Sequence, residues 1–380
     1  MHSTHSSQDG KLSMALKSDL EMLLSPTKVG AWSVRNRIVM APMTRSRAGA
    51  QDVASALNAQ YYGQRASAGL IIAEASQISP EAQGYIRTPG IYSRAQIDGW
   101  RVVTRTVHEE GGTIILQLWH VGRVSHPDNR LPGTRSVSPS ALAPSIPIFT
   151  AKGLQPVPVP HALERDEIAG VVEDYASAAL NALEAGFDGV ELHGANGYLV
   201  DQFLQDGANG RADDYGGTPD NRCRFLFEVC DRLAEVVSPD RVGVRLSPFG
   251  NFNDISDSDP QRLFATAMAG LAKRRLAYLH VINVEATGDR SAKKEAAVDV
   301  AAFARQHYDG TLILGGGYTP SSADAVLRTG RADLVAFGRP FISNPDLVGR
   351  ARSGLALAPA DRSTFYTEGP AGYTDYPNAT

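Results

Sequence analysis

Residues 186–210, reading GFDGVELHGANGYLVDQFLQDGANG, constrain the fold most strongly. Ahead of them Ile168, Val171, Val172, Tyr175, Ala179 and Leu183 recur at steps of three and four, the spacing of an amphipathic helix over about 165–185. Gly186 ends that helix, because glycine tolerates the left-handed conformation that closes a helix C-terminus. The following run, Gly189, Val190, Glu191 and Leu192, has no polar/apolar alternation long enough for an open antiparallel sheet and reads as a buried parallel strand. His193, Asn196 and Tyr198 stand at its C-terminal end. A helix, a short buried strand and polar residues in a glycine-containing loop make the unit of an α/β barrel, whose reactive side chains project from the C-terminal ends of strands.

The unit recurs along the chain. A small hairpin over residues 29–32 and 36–40 is expected to lead into a first strand at 37–42, with Pro42 at its end and Thr44 just beyond. A helix at about 56–68 precedes a second strand at 70–73, which ends at Glu74 and Ala75. A helix at 94–111 precedes a third at 113–120, carrying Gln117 and Trp119. Past the central stretch come a helix at 220–236 and a strand at 241–246 with Arg245 near its end. The pattern continues with a helix at 260–274, a strand at 278–282, a helix at 295–307, a strand at 311–314 running into Gly315, Gly316 and Gly317, and a strand at 334–337 followed by Gly338, Arg339 and a closing helix at 346–353. Eight strands predict a single (β/α)8 TIM barrel. Such barrels run to about 250 residues and beyond 400 with insertions, so 380 residues fit one domain.

Three segments stand outside this repeat. Residues 1–18, dominated by His, Ser and Gln, are expected to be a disordered tail, which leaves 19–380 as the barrel. Residues 121–163, after the third strand, are a long Pro- and Ser-rich insertion. Compact domains seldom keep more than about 15 structureless residues without a use, so these are expected to form a lid over the barrel mouth, a solvent loop being the alternative. The aromatic C-terminal stretch TFYTEGPAGYTDYP is expected to pack back across that mouth.

A net charge of −4 without a basic run gives no electrostatic footprint for nucleic acid or an anionic membrane. No apolar stretch approaches the roughly 20 residues of a membrane span, and the N-terminus lacks the apolar core of a signal peptide. A cytoplasmic protein acting on small molecules, as monomer or homodimer, is the expectation. The two cysteines, Cys223 and Cys230, lie two helical turns apart, too far for a disulfide, and are read as buried free thiols.

Many barrels bind a phosphate in the loops after strands seven and eight, where backbone N–H groups face the anion. Gly316 and Gly317 stand in the first of those loops, Gly338 and Arg339 in the second. The pyrimidine edge of an isoalloxazine ring would call for an amide, a hydroxyl and a cation; Gln117, Thr44 and Arg245 are those three types at three strand ends, although each singly could be a satisfied interior polar group. His193 and Asn196 can donate a pair of hydrogen bonds to a carbonyl or nitro oxygen, equivalent to an oxyanion hole, and Tyr198 can protonate the α-carbon as general acid. No second His, Cys or carboxylate shares a metal-ligand spacing with His193, so no metal is expected.

In this order the residues resemble the old yellow enzymes, flavoprotein ene-reductases whose motif of His, then Asn or His three residues later, then Tyr two further, reads here HGANGY and continues as DQFLQDGANGRADDYGG. The resemblance covers residues 24–377. It is strongest to bacterial N-ethylmaleimide and pentaerythritol tetranitrate reductases and plant oxophytodienoate reductases. It implies FMN as cofactor and NADPH or NADH as reductant. Thr44 would meet flavin O4, Gln117 the N3/O2 edge, and Arg245 the N1–O2 region, where a cation favours the charge that develops on reduction. Pro42, Ala75, Gly316, Gly317, Gly338 and Arg339 complete the implied cofactor set; Ala75 stands where the family often has Gly. The resemblance further implies reduction of the activated C=C bond of enones or nitro compounds, extending to nitro esters and nitroaromatics, with Trp119 and Tyr366 beside the substrate. Two other functions fit parts of the pattern: a phosphosugar isomerase or aldolase with Glu191 or Glu74 as base, and a non-catalytic flavin carrier.

Overall fold

The computed structural model describes residues 20–283 and 298–379. The expected tail at 1–18, and residues 295–297 of the expected seventh-strand helix, lie outside these. The chain opens with an antiparallel hairpin, β1 (Thr27–Val29) and β2 (Trp32–Val34). This corrects the expected arms at 29–32 and 36–40. The turn falls at Gly30, which adopts φ +51° and whose hydrogen would become, as a Cβ, a clash 2.1 Å from the Asp240 carbonyl oxygen. Residues beyond β2 therefore already belong to the barrel, whose first strand is β3 (Ile38–Met40).

The chain continues through α1 (Ala56–Gly63), β4 (Leu70–Gln77), α2 (Arg94–Glu109) and β5 (Ile114–Trp119). Four short strands follow, β6 (Val137–Ser138), β7 (Pro147–Thr150), β8 (Gly153–Pro156) and β9 (His161–Ala162), so the insertion at 121–163 is not irregular throughout. In it β6 pairs parallel with β9, while β7 and β8 form an antiparallel hairpin. Then come α3 (Arg165–Glu184), β10 (Val190–Gly194), α4 (Leu199–Leu204), α5 (Pro219–Arg222), α6 (Arg224–Val237), β11 (Val242–Leu246), α7 (Pro260–Ala272) and β12 (Tyr278–Ile282). The chain closes with α8 (Val300–His307), β13 (Leu312–Gly315), α9 (Pro320–Arg328), β14 (Leu334–Phe337), α10 (Arg339–Ser343) and α11 (Leu347–Ser353). Cys223 and Cys230 are both buried and free.

Strands β3, β4, β5, β10, β11, β12, β13 and β14 close a parallel barrel in that order. Alternation decides what each strand shows to each side. Leu116, Leu118, Val190, Leu192, Val242, Val244, Leu279 and Val281 belong to the large apolar cluster shared with the helices. Burying such a side chain contributes about 1.5–3 kcal/mol, and this outer layer holds the helical ring to the sheet. The alternate residues face inward. At the N-terminal end they are apolar, Val39, Leu70, Ile72, Ile115, Ile313 and Leu334, and the hairpin residues Val29, Trp32 and Val34 plug that end. Toward the C-terminal end they turn polar, with Gln117, Glu191, His193, Arg245 and His280 all buried.

One strand breaks the alternation. β4 pairs Ala73 with Leu116 but Ser76 with Leu118, so it carries one extra residue, a bulge. Ala75 thereby lines the barrel mouth, while Glu74 reaches α1, where Tyr62 OH donates to its Oε1 at 3.2 Å and the Arg45 amide to its Oε2 at 3.2 Å. Burial raises Glu74 from an ordinary 4.5 to about 7, against the pull of Arg45 and Tyr62. Between those values the folded chain holds a proton that the unfolded chain has released, so this group makes stability fall as pH rises from about 4.5 to about 7. Thermal unfolding of Glu74→Gln should show a flatter pH slope across that window than the parent; an identical slope would refute the assignment.

Candidate active site

The C-terminal ends of the strands surround a cavity of about 1020 Å³. Single-ligand pockets span roughly 300–1,000 Å³, so this one has room for a cofactor with a substrate beside it. Every residue that the resemblance assigns to cofactor or substrate lines it: Pro42, Thr44, Ala75, Gln117, Trp119, His193, Asn196, Tyr198, Arg245, Gly316, Gly317, Gly338, Arg339 and Tyr366. They come from seven of the eight strand ends and the C-terminal segment.

At one end of the cavity, Gly316 and Gly317 leave β13 at φ +112° and +74°, conformations that side-chain-bearing residues rarely adopt, while Gly338 precedes α10 and Arg339 opens it. A short helix here was not anticipated; the sequence pattern gives no period for five residues.

Deeper in the barrel the polar layer is organised by Glu191. Its Oε1 accepts from Gln117 Nε2 at 2.8 Å, and its Oε2 accepts from Tyr278 OH and His280 Nδ1, each at 3.0 Å. This fixes the Gln117 amide with its carbonyl oxygen turned away from Glu191. The two inward atoms above, Arg245 Nε and His280 Nε2, are buried with no hydrogen-bond partner, as are Asn196 Oδ1 and Trp119 Nε1. Buried polar atoms are almost always satisfied, and four converging on one cavity mark where a polar ligand completes them. Burial pulls Arg245 down and Glu191 pulls it back up, and a guanidinium keeps its charge under either influence.

On the neighbouring wall, His193 stacks near Trp119, with ring centroids 6.2 Å apart, and meets the edge of Tyr198 at 5.0 Å. Burial, reinforced by Arg245 and His280, holds the His193 ring well below its usual range, so it is neutral. Its Nδ1 accepts from the Ala195 amide at 3.3 Å, which leaves the proton on Nε2 as a donor. Burial raises Tyr198, whose hydroxyl contacts Tyr85 OH at 3.3 Å, so the phenol keeps its proton.

The sequence reading missed Tyr85, which stacks on Trp119 at 5.7 Å, and His280, Phe149 and Phe252, which also line the cavity. Counting inward positions along the sixth strand would have found His280; Tyr85 and Phe252 sit on loops without periodicity, and Phe149 on the four-residue strand β7 inside the insertion, too short to show one. Phe149, on β7, is 58% exposed and Tyr366 is 61% exposed, which puts both at the rim rather than in the interior. The segment carrying Tyr366 is tied down by arginines that donate to backbone carbonyls: Arg45 to Phe365 and Gly372, and Arg47 to Thr364, Phe365, Gly369 and Ala371. Neither carboxylate that an isomerase would use as base lines the cavity: Glu191 lies below it, engaged by three donors, and Glu74 faces α1. Among the described residues no group of three His, Cys, Asp or Glu side chains could hold a metal ion, and no helix is long and apolar enough to cross a membrane.

Comparison with known proteins gives concordant matches. Residues 22–358 match the NADH:flavin oxidoreductase / NADH oxidase family. The chain is 45% identical over 371 residues to a probable flavin mononucleotide-dependent alkene reductase of Leishmania infantum, covering 96% of this chain and all of that one. It is 44% identical over 364 residues to 12-oxophytodienoate reductase 1 of Oryza sativa subsp. japonica, covering 93% of this chain and 92% of the relative. Among solved structures, the old yellow enzyme homologue from Zymomonas mobilis superposes with a TM-score of 0.90 at 42% identity, covering 94% of this chain and 99% of that one. Morphinone reductase, also solved in complex with tetrahydroNAD, superposes with a TM-score of 0.89 at 47% identity, covering 94% and 96%.

Proposed function

Because this chain belongs to the NADH:flavin oxidoreductase / NADH oxidase family, it is an FMN-dependent alkene reductase of the old yellow enzyme type, and we propose that His193, Asn196 and Tyr198 activate its substrates, α,β-unsaturated carbonyl and nitro compounds. The observation that carries this reading is the neutral His193 with its donor on Nε2, on the wall that also bears Asn196 and Tyr198.

The residues present fit FMN: two glycine-containing loops with Arg339 suit its phosphate, and the unpartnered Arg245 Nε lies beside Gln117 and Thr44 in the same cavity. Bound there, FMN would supply the hydride chemistry that links oxidation of NADH or NADPH to reduction of the alkene. The remaining work belongs to the chain. His193 Nε2 and the Asn196 amide donate to the carbonyl or nitro oxygen, where negative charge gathers as hydride arrives. Tyr198 gives its proton to the α-carbon. Arg245 would hold positive charge toward the pyrimidine edge of the ring, and Glu191 keeps the Gln117 amide in one orientation that would serve the same edge. Residues 121–163 act as a lid, with Phe149 and Tyr366 at the rim favouring an apolar substrate body. Nitro esters and nitroaromatics fall within the same oxygen-binding chemistry. The enzyme works in the cytoplasm, where reduced nicotinamides are supplied, as monomer or homodimer.

Purified protein should take up FMN and, on adding p-hydroxybenzaldehyde, develop a long-wavelength charge-transfer band; a colourless protein that binds no FMN would refute the proposal. Arg339→Ala should lose FMN on dialysis, because a guanidinium–phosphate pair is charge-assisted and often bidentate, its loss costing about 1.5–3 kcal/mol. A full flavin complement after gel filtration would make Arg339 structural.

A further inference from the structure

Asn196 and Tyr198 are carried by a turn whose backbone conformation must be held. Asn196 has φ +59° and Gly197 φ +72°. The left-handed region is unfavourable for residues with a Cβ, though Asn bears it better than most. Two consecutive amides of this turn are gripped from the same side. The Asn196 N–H donates to Ser247 Oγ at 2.8 Å, and the Gly197 N–H donates to Asp201 Oδ2 at 2.8 Å. Ser247 Oγ makes a longer contact of 3.5 Å with the same Asp201 oxygen, so one carboxylate ends both paths. Asp201 Oδ1 accepts from Gln205 Nε2 at 2.7 Å. The carbonyls of the turn are held as well, Asn196 O by Asn253 Nδ2 at 2.9 Å and Gly197 O by Gln202 Nε2 at 2.7 Å.

Asp201 is wholly buried on α4, and Ser247 follows β11 two residues after Arg245. The brace therefore ties the substrate-activating turn to the strand that carries the flavin-facing cation. Burial raises Asp201 to about 6, offset by Gln205, Gly197 and Ser247. A carboxylate kept there against desolvation is one whose acceptor capacity is in use.

We infer that Asp201, through the Gly197 amide and Ser247, is a positioning residue that fixes the left-handed turn aiming Asn196 and Tyr198 into the cavity. This rests on the roles proposed above for His193, Asn196 and Tyr198. Small displacements of reacting groups have large kinetic effects, so loss of the brace should appear in ligand affinity and turnover while the FMN loops, on the far side of the barrel, are untouched.

The test uses FMN-loaded enzyme titrated with p-hydroxybenzaldehyde and assayed with cyclohexenone. Asp201→Ala should weaken the charge-transfer complex roughly tenfold and lower kcat for cyclohexenone by a similar factor, with FMN retained. Asp201→Asn should recover most of both, because its carbonyl can still accept from Gly197 while its NH2 faces a turned-over Gln205 amide. Wild-type phenol affinity in Asp201→Ala overturns the inference, as does an Asp201→Asn variant no better than Ala. Should Asp201→Ala fail to fold, Ser247→Ala takes its place: a weakened complex supports the brace and an unchanged one overturns it. The control is His193→Ala with Asn196→Gly. If that pair leaves phenol affinity unchanged, the proposed substrate site itself is wrong; if it abolishes binding while Asp201→Ala does not, Asp201 alone is removed.

Discussion

Replacing Tyr198 by Phe should slow reoxidation of the reduced enzyme by cyclohexenone about 10²- to 10⁴-fold, the usual cost of removing a positioned general acid, while reduction by NADH or NADPH proceeds at the parent rate. The separation follows from what each half needs. Accepting hydride from nicotinamide needs no proton from the wall opposite, whereas saturating an alkene needs one at the α-carbon. Among the polar groups on that wall, His193 is a neutral donor that the proposed mechanism commits to the substrate oxygen; Tyr198 is the acid the proposal leaves for the α-carbon, and burial keeps its proton in place. The Phe ring preserves the edge contacts to Trp119 at 4.9 Å and to His193 at 5.0 Å, so the loss should report the hydroxyl rather than packing. Tyr85, 3.3 Å from that hydroxyl, sets the limit on the effect, since its own phenol stands next in line. Quinones and oxygen, which take electrons without protonation at carbon, should reoxidise the variant almost normally. Stopped-flow reoxidation by cyclohexenone at the parent rate would remove Tyr198 from the role.

The barrel was legible because its strands bury both faces. A parallel strand between helices and barrel interior must be short and largely apolar, and the helices between strands repeat at 3.6 residues, so Leu70 to Ala73 or Leu312 to Leu314 announce themselves. The site was legible for a related reason: polar residues at strand ends converge whatever the loops do, which brought Gln117, His193 and Arg245 together from three separate strands. What escaped depends on events with no local period. The β4 bulge is one; alternation from Leu70 and Ile72 would aim Glu74 inward, and an extra residue turns it to Tyr62 instead. Tyr85 is another, since its bond to Tyr198 joins positions 113 residues apart through a loop. The arginine clamp on residues 364–372 is the third, because its acceptors are backbone carbonyls, which every residue carries and no sequence pattern marks. Glu191, one of the two carboxylates that an isomerase would use, is the acceptor that organises Gln117, Tyr278 and His280, a role visible only when β5, β10 and β12 are brought together in the closed barrel.

The second large effect concerns the oxygen-binding pair. His193→Ala combined with Asn196→Gly should weaken binding of phenols and of enones together by roughly 10²- to 10⁴-fold, from the loss of two donors worth about 1.5–3 kcal/mol each to a charged or developing oxyanion. Glycine is the substitution at 196 because the native residue holds φ +59°, which alanine would resist; the change then removes the amide without breaking the turn. FMN should stay bound, since the loops proposed for its phosphate, and Gln117 and Arg245 proposed for its pyrimidine edge, lie on other strands. The His193 contribution should also show no titration in the ordinary histidine range: burial, reinforced by Arg245 and His280, holds its ring well below ordinary histidine values, so the donor stays neutral there. A phenol titration monitored by the charge-transfer band reads both points at once. Unchanged affinity in the variant, or a parent affinity that follows a histidine titration after the phenol's own ionisation is subtracted, would mean that the oxygen is held elsewhere in the cavity.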